Sequence, residues 1–287
     1  MSFTAILPNL LLVALALVMF GLGLSLSLQD FARLREQPRA VLLALGLQML
    51  LLPGVAYALI VGLQVQPVYA VGLMLLAASP GGVSANLFSH LFGGNVAMNI
   101  SLTAINTVLS IVSLPLIANW AIASFVQTGQ VVPLQFGKVF EVVGVILVPV
   151  AIGMLVSRRR PAFAARMGKP MKIFSAVVLA AFSLIAIAKE WTALTESFSS
   201  LGPVVLVFNL ASLLAGYYLS RAAGLDKPMA TAVSYEIGIH NSTLAIYVAL
   251  SVLGNFALAL PAAIYSVSMY LTATAFGMLV LRRKDPA

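Results

Sequence analysis

Nine long apolar runs constrain this chain more than any other feature of its sequence. A helix needs about 20 mostly apolar residues to cross the roughly 30 Å hydrocarbon core of a bilayer. Such runs cover residues 6–28, 40–63, 68–92, 96–125, 136–156, 171–188, 201–220, 229–252 and 256–281. Because only 8% of the residues are charged, a water-soluble globule is excluded. The sequence predicts an all-α polytopic membrane protein with nine transmembrane helices.

The basic residues fall almost entirely on one side of the predicted membrane. Lys138 and Lys189 lie on one side, and fourteen lie on the other: Arg33, Arg35, Arg39, Arg158, Arg159, Arg160, Arg166, Lys169, Lys172, Arg221, Lys227, Arg282, Arg283 and Lys284. By the positive-inside rule, we expect a protein of the cell inner (plasma) membrane with its N-terminus outside and its C-terminus in the cytoplasm. The net charge of +8 therefore follows from the orientation of the chain in the lipid bilayer, and we expect no nucleic acid as a partner.

Two of the nine runs are poor continuous helices. Residues 79–82 read Ser-Pro-Gly-Gly, and residues 234–242 place a glutamate, a glycine and a histidine at bilayer depth. Seven residues separate the opening serine of each break from an asparagine, Asn86 or Asn241. The two runs cross the membrane in opposite directions, which is typical of an inverted repeat with two crossed broken helices. The first half has four helices and the second has five.

Glu236 is the residue that most strongly indicates a function. A carboxylate at mid-membrane costs at least about 2.5–3.5 kcal/mol and normally faces a partner. No Lys or Arg lies at the centre of any run, which leaves a bound cation, protonation, or a charged His240 as partner. Oxygen donors suited to a cation occur in the same parts of both halves: Gln48, Asn86, Asn99, Ser101, Thr103 and Asn241. These polar side chains could equally hold helices together by hydrogen bonding.

The helix breaks also offer a place for an anion. Half-helices that begin near Ser84 and Ser242 would direct unpaired N–H groups and partial positive charge at the membrane midplane. A substrate carboxylate would fit there. The alternative is that both serines are simple helix N-caps.

Three motifs together resemble the bile acid:sodium symporter family. They are Met-Phe-Gly-Leu-Gly-Leu-Ser-Leu at 19–26 followed by Asp30-Phe31, Ser-Pro-Gly-Gly-Val-Ser-Ala-Asn at 79–86, and Glu-Ile-Gly-Ile-His-Asn at 236–241. The resemblance covers nearly the whole chain. It implies a bacterial member that lacks the first of ten helices, with a core domain, a panel domain that moves against it, and two sodium sites.

The resemblance also implies which residues form the sites. The first Na⁺ site falls on Asn86, Asn99, Thr103 and Glu236. The second falls on Gln48, Glu236, the carbonyls of Ile237 and Ile239, and His240. The substrate site falls on Val83, Ser84, Asn241 and Ser242. Three positions depart from the family pattern, since Ala85 replaces serine, His240 replaces glutamine and Val83 replaces threonine. The second site therefore holds Na⁺ weakly or takes a proton instead, or His240 is neutral and bonded to a carbonyl.

The chain is expected to divide into four parts. Residues 1–67 form panel or scaffold helices, 68–125 the first part of the core, 126–227 three helices with a basic cytoplasmic linker over 157–172, and 228–287 the second part of the core.

We interpret the chain as a sodium-coupled symporter that imports a small or amphipathic organic anion, with Na⁺ as coupling ion and no other cofactor. The alternatives are a sodium/proton antiporter without organic substrate and, more remotely, an intramembrane enzyme. The sequence does not identify the solute or the oligomeric state.

Overall fold

The computed structural model describes residues 3–126 and 136–281. Within these two stretches the chain consists of helices joined by short connections. We number them α1 (Phe3–Ser25), α2 (Leu28–Arg33), α3 (Pro38–Gly62), α4 (Pro67–Ala78), α5 (Val83–Leu91), α6 (Val96–Phe125), α7 (Phe136–Arg159), α8 (Pro161–Lys189), α9 (Trp191–Ala222), α10 (Lys227–Gly238), α11 (Ser242–Val252) and α12 (Ala257–Leu281).

Each of the nine predicted apolar runs coincides with one helix or with an interrupted pair, α4–α5 or α10–α11. Five described helices are long and apolar enough to cross a membrane: Pro38–Gly62, Val96–Phe125, Pro161–Lys189, Phe198–Ala222 and Ala257–Leu281. Large apolar side chains such as Leu50 and Leu271 are exposed by 76% and 70%, as expected for a surface in contact with lipid. The predicted fold class, an all-α polytopic membrane protein, is confirmed.

Both predicted helix breaks are present, at residues 79–82 and 239–241. Pro80 has no N–H to continue the hydrogen bonding of α4, and the residue before a proline is disfavoured in helical geometry. Ser79 accordingly has extended backbone angles (φ −73°, ψ 144°). The second break follows Gly238, the last residue of α10.

The two breaks cross and pair with each other. The Gly82 N–H donates to the Ile239 carbonyl at 2.6 Å, and the Asn241 N–H donates to the Pro80 carbonyl at 2.8 Å. These bonds form an antiparallel bridge centred on Gly81 and His240. Irregular backbone at membrane depth is tolerated only where protein satisfies it, and here each break does so for the other.

Close glycine contacts join α1 to α7. A Cβ atom on Gly153 would meet the Phe20 carbonyl oxygen, and one on Gly23 would meet that of Val150. Small residues let membrane helices approach this closely. α1 packs mainly on α7 and α8, whereas α3 packs on α4 and α9, and α10 packs on α5, α6 and α9. The chain thus brings α1, α7 and α8 together as one group.

The basic cytoplasmic linker expected over residues 157–172 stays a prediction. The structure is helical there except at Arg160, where α7 gives way to α8. Pro161 starts α8 because its fixed φ and missing N–H suit the first turn of a helix. The basic residues thus occupy helix ends rather than a loop. Residues 282–287, which carry three of the basic residues of the orientation count, lie outside the described residues.

Candidate functional site

Glu236 lies on α10, immediately before the second break, and its side chain is completely buried. Thr103 donates its hydroxyl hydrogen to Oε2 at 2.5 Å, and Asn99 Nδ2 donates to the same oxygen at 3.3 Å. Asn106 Nδ2 donates to Oε1 at 2.9 Å. Arg33 pairs with Asp30, on α2, and not with this carboxylate. The donors described for Glu236 are therefore neutral side chains.

Asn99, Thr103 and Asn106 occupy one face of α6. Their spacing of four and three residues puts successive side chains one above the other on a helix. The spacing predicts this alignment, yet Asn106 was missing from the expected ligand set. The signal that could have found it is its place one turn beyond Thr103, on the same face.

Several buried amide oxygens near the helix breaks have no hydrogen-bond donor. Among the described residues these include the side-chain oxygens of Gln48, Asn86, Asn99 and Asn106. The Nδ2 groups of Asn99 and Asn106 donate their hydrogens to Glu236, and that of Asn99 also donates to the Ala232 carbonyl. A buried acceptor without a donor is destabilising, whereas oxygens grouped around a carboxylate are suitable ligands for a hard cation. The residues of the predicted first site thus have the chemistry that Na⁺ requires.

The first predicted site is brought together only in part. Asn99, Thr103 and Glu236 are in hydrogen-bond contact with one another. Asn86 lies on α5, is 8% exposed, and lines a separate cavity of about 240 Å³ with Ser25. The hydrogen bonds described for Glu236 come from α6 and from the backbone of Gly81, not from Asn86.

Gly81 allows the first break to lie directly against Glu236. A Cβ atom at this position would collide with the carboxylate. The backbone of Gly81 instead hydrogen-bonds to the carboxylate. The predicted Gly-Gly pair therefore has a steric reason at its first member, because the close approach leaves no room for a side chain.

Two residues of the second predicted site, Gln48 and His240, meet around one carbonyl group. Gln48 Nε2 donates to Ser79 O at 3.0 Å and to Ala77 O at 3.2 Å. His240 Nδ1 lies 3.1 Å from the same Ser79 oxygen. Gln48 lies in a π-helical turn of α3 over Leu47–Leu51, and such turns occur often at functional sites. The hydrogen bonds that join this set to the breaks thus run through nitrogen atoms of Gln48 and His240.

A second buried network holds the end of α10. Asn209 Nδ2 and the Tyr265 hydroxyl each donate to the Gly238 carbonyl at 2.8 Å. Thr272 donates its hydroxyl hydrogen to Asn209 Oδ1. These residues satisfy a carbonyl at a helix end that would otherwise lack a partner. Sequence reasoning missed them, because single polar residues in apolar helices gave no spacing signal.

The four predicted substrate residues, Val83, Ser84, Asn241 and Ser242, line one small cavity of about 30 Å³ at the crossing. Ser84 Oγ lies 3.1 Å from the Tyr270 hydroxyl. Asn241, rather than Ser242, is the N-cap of α11, since its side chain accepts from the Leu244 N–H at 3.1 Å. The Ser242 hydroxyl is buried without a partner.

Larger cavities continue from this point between α1, α5 and α8. One of about 370 Å³ is lined by Val83 and Ser175, which also line the small cavity. It shares Ser157 and Pro161 with a cavity of about 750 Å³ that reaches Arg158. A chain of cavities thus leads from the crossing to the basic ends of α7 and α8.

The sequence profile of the sodium bile acid symporter family matches residues 12–197. A probable sodium/metabolite cotransporter, BASS1 of Arabidopsis thaliana chloroplasts, is 26% identical over 269 residues, which are 93% of this chain and 65% of that protein. The sodium-dependent transporter YocS of Bacillus subtilis is 28% identical, over 89% of this chain and 78% of that protein. The human ileal sodium/bile acid cotransporter is 25% identical, over 84% and 69%.

The chain therefore spans about two thirds of the length of its Arabidopsis relative. The family and these relatives are named for transport, so the intramembrane-enzyme alternative is set aside. The resemblance seen in the three motifs is confirmed, because the profile match covers more than half of the 287 residues. The chain belongs to the sodium bile acid symporter family.

Proposed function

We propose that this chain is a sodium-coupled symporter that imports a small or amphipathic organic anion by alternating access. The observation that carries the proposal is Glu236, a fully buried carboxylate among neutral donors and amide oxygens that lack donors. A sodium ion bound beside it would neutralise its charge and give those oxygens a partner. The names of the relatives, which are cotransporters and sodium-dependent transporters, support the same coupling ion.

In this proposal Glu236, Thr103 and Asn99 hold the ion, and the neighbouring Asn106 joins them. Their hydrogen bonds to the Glu236 carboxylate are between 2.5 and 3.3 Å, so these side chains already surround it, and the amide oxygens that would bind the ion are the Oδ1 atoms that lack donors. Asn86 stays a predicted ligand. It would have to turn its unpartnered Oδ1 from α5 toward the ion.

The substrate carboxylate would bind at Val83, Ser84, Asn241 and Ser242. The backbone N–H groups at the starts of α5 and α11 supply partial positive charge there, and the unpartnered Ser242 hydroxyl supplies a further donor. The apolar body of an amphipathic anion would extend into the cavity of about 370 Å³, whose lining includes Leu24, Ala164 and Met171.

Transport would proceed by movement of α1, α7 and α8 as a panel against the remaining helices as a core. The glycine contacts between α1 and α7 favour a rigid panel. The packing of α3 on α4 and α9 favours placing α3 with the core, although residues 1–67 were expected to form one unit. Sodium bound at Glu236 would order the crossing, and the substrate would then bind to a site already organised.

We further propose that the cavities leading to Arg158 open to the cytoplasm of a bacterial cell, with the N-terminus outside. The basic residues at the ends of α7 and α8, and the positive-inside rule, support this orientation in the inner membrane. A proton role for His240 stays a prediction.

The proposal is tested by measuring thermal stabilisation of the purified protein by a panel of organic acids, in sodium and in potassium. A ligand that stabilises only in sodium is then used for uptake into proteoliposomes with an inward sodium gradient. Sodium-driven accumulation is expected. Proton counterflow driven by sodium without any organic acid would instead establish the antiporter alternative.

A further inference from the structure

We propose that one sodium ion, bound at Glu236, couples transport in this chain, because hydrogen-bond donors of the protein brace the two breaks in place of a second cation. The inference rests on the proposed symport. It follows from the acceptors at the two places: donors meet the carboxylate of Glu236 in the first, and only neutral backbone carbonyls, those of Ser79 and Gly238, in the second.

The contact between His240 and Ser79 fixes the role of the imidazole. Ser79 O is a carbonyl and can only accept a hydrogen bond, so the Nδ1 atom 3.1 Å away must carry a hydrogen and donate it. A ring nitrogen that carries a hydrogen has no lone pair for a metal ion. His240 is 1% exposed, Phe208 stacks on its ring with a centroid distance of 5.6 Å, and Tyr265 packs edge-on at 5.4 Å. The ring is thus held in this orientation from two sides.

Gln48 contributes donors to the first break and to the end of α4, beside the contact of His240 with Ser79. Its Nε2 donates both of its described hydrogen bonds, to Ser79 O and Ala77 O. The amide of Gln48 and the imidazole of His240 thus donate N–H groups to carbonyl oxygens from two directions. A sodium ion at this point would need those carbonyl lone pairs and would meet N–H groups instead.

The backbone carbonyls of the second break are also engaged. Gly238 O accepts from Asn209 and Tyr265, and Ile239 O accepts from the Gly82 N–H at 2.6 Å. Gln48 Oε1 and His240 Nε2 are left without donors, which is one oxygen and one nitrogen. Around Glu236, by contrast, a carboxylate and the oxygens of Asn99 and Asn106 are available. The structure therefore has one site rich in ligand oxygens, at Glu236, and a second place where hydrogen-bond donors of the protein already occupy the carbonyl oxygens of the breaks.

The experiment measures how the thermal midpoint of the purified protein depends on sodium, with choline chloride replacing sodium chloride at constant ionic strength. Once sodium exceeds its dissociation constant, stabilisation rises in proportion to ln[Na⁺] and to the number of ions bound. We expect the wild-type slope to fit one ion. We expect His240→Gln, which restores an amide oxygen at this position, to double that slope.

The outcomes separate this inference from the proposed symport. A wild-type slope that fits two ions would overturn the inference and leave sodium coupling intact, and this result does not depend on any variant folding. One-ion slopes in both proteins would overturn the role given to His240. A thermal midpoint of the wild type that does not change with sodium would overturn the proposed function itself.

Gln48→Ala provides a second variant. It should keep the one-ion slope, and loss of sodium dependence there would identify Gln48 as a ligand and contradict the brace.

Discussion

The Thr103 hydroxyl donates to Glu236 Oε2 at 2.5 Å, and this contact links α6, which follows the first break, to α10, which precedes the second. The same hydroxyl lies 3.0 Å from the carbonyl of Asn99, one turn earlier on α6. Thr103 can therefore orient the carboxylate and still present an oxygen lone pair beside it. This short hydrogen bond is thus one of the contacts by which the two halves of the chain meet in the proposed ion site.

Thr103→Val should weaken sodium binding without preventing folding. Valine has a similar shape but no hydroxyl, so Glu236 loses a hydrogen bond to a charged group, an interaction worth about 1.5–3 kcal/mol. We expect the sodium concentration for half-maximal stabilisation to rise by about tenfold or more. Thr107→Val is the matched control, because the Thr107 hydroxyl donates to the Thr103 carbonyl and not to Glu236. Equal effects of both changes would argue against an ion ligand at Thr103.

Gly81→Ala should abolish sodium-dependent stabilisation. The added Cβ would collide with the Glu236 carboxylate and push the first break away from it. The comparison is with Gly54→Ala on α3, where a Cβ meets nothing within 4 Å and alanine favours the helix by up to about 1 kcal/mol. Thermal midpoints with and without sodium distinguish the two. Normal sodium dependence in Gly81→Ala would show that the break does not depend on this close approach.

Asn209→Ala should destabilise the end of α10. It removes one hydrogen bond to the buried Gly238 carbonyl and one from the Thr272 hydroxyl, and each such bond contributes about 0.5–1.5 kcal/mol. We expect a lower thermal midpoint and weaker sodium binding. Ser212→Ala is the control one turn along α9, since Ser212 donates only within its own helix, to Phe208 O. A midpoint unchanged by Asn209→Ala would mean that Tyr265 alone satisfies Gly238.

Gly153→Ala should disrupt the packing of α1 on α7. Its Cβ would overlap the backbone of Phe20 and Gly23, and backbone cannot move aside as a side-chain tip can. Gly144→Ala on the same helix meets nothing within 4 Å and should be tolerated. The yield of monodisperse protein after detergent extraction measures the difference. Equal yields would show that α1 and α7 separate easily and do not form a rigid panel.

Much of the fold could be predicted because bilayer thickness fixes the length of an apolar run. The breaks were also predictable, since Pro80 and its neighbouring glycines cannot continue a helix. The helical backbone of residues 157–172 did not follow from the length of an apolar run, because the basic residues lie between two such runs, although Arg and Lys are good helix formers. Alanine and methionine between the basic residues suit the first turns of α8, which begins at Pro161.

The site was predictable where a residue lies close in sequence to a break or repeats on one helix face. Glu236, Asn99 and Thr103 belong to this class. Asn209 and Tyr265 could not be found, because their role depends on which carbonyl they meet across three helices. The hydrogen-bond direction at His240 was equally hidden, since it is set by Ser79, which is 161 residues away in the chain.

The central claim is that Glu236 binds the coupling sodium ion, and the most direct test compares wild type with Glu236→Gln. The measurement is the thermal midpoint of each purified protein in sodium chloride and in equal potassium chloride, with exposed Glu36→Gln as control. Wild type and Glu36→Gln should be more stable in sodium, and Glu236→Gln should show no difference between the two salts. Stabilisation of Glu236→Gln by sodium to the same extent as wild type would contradict the account.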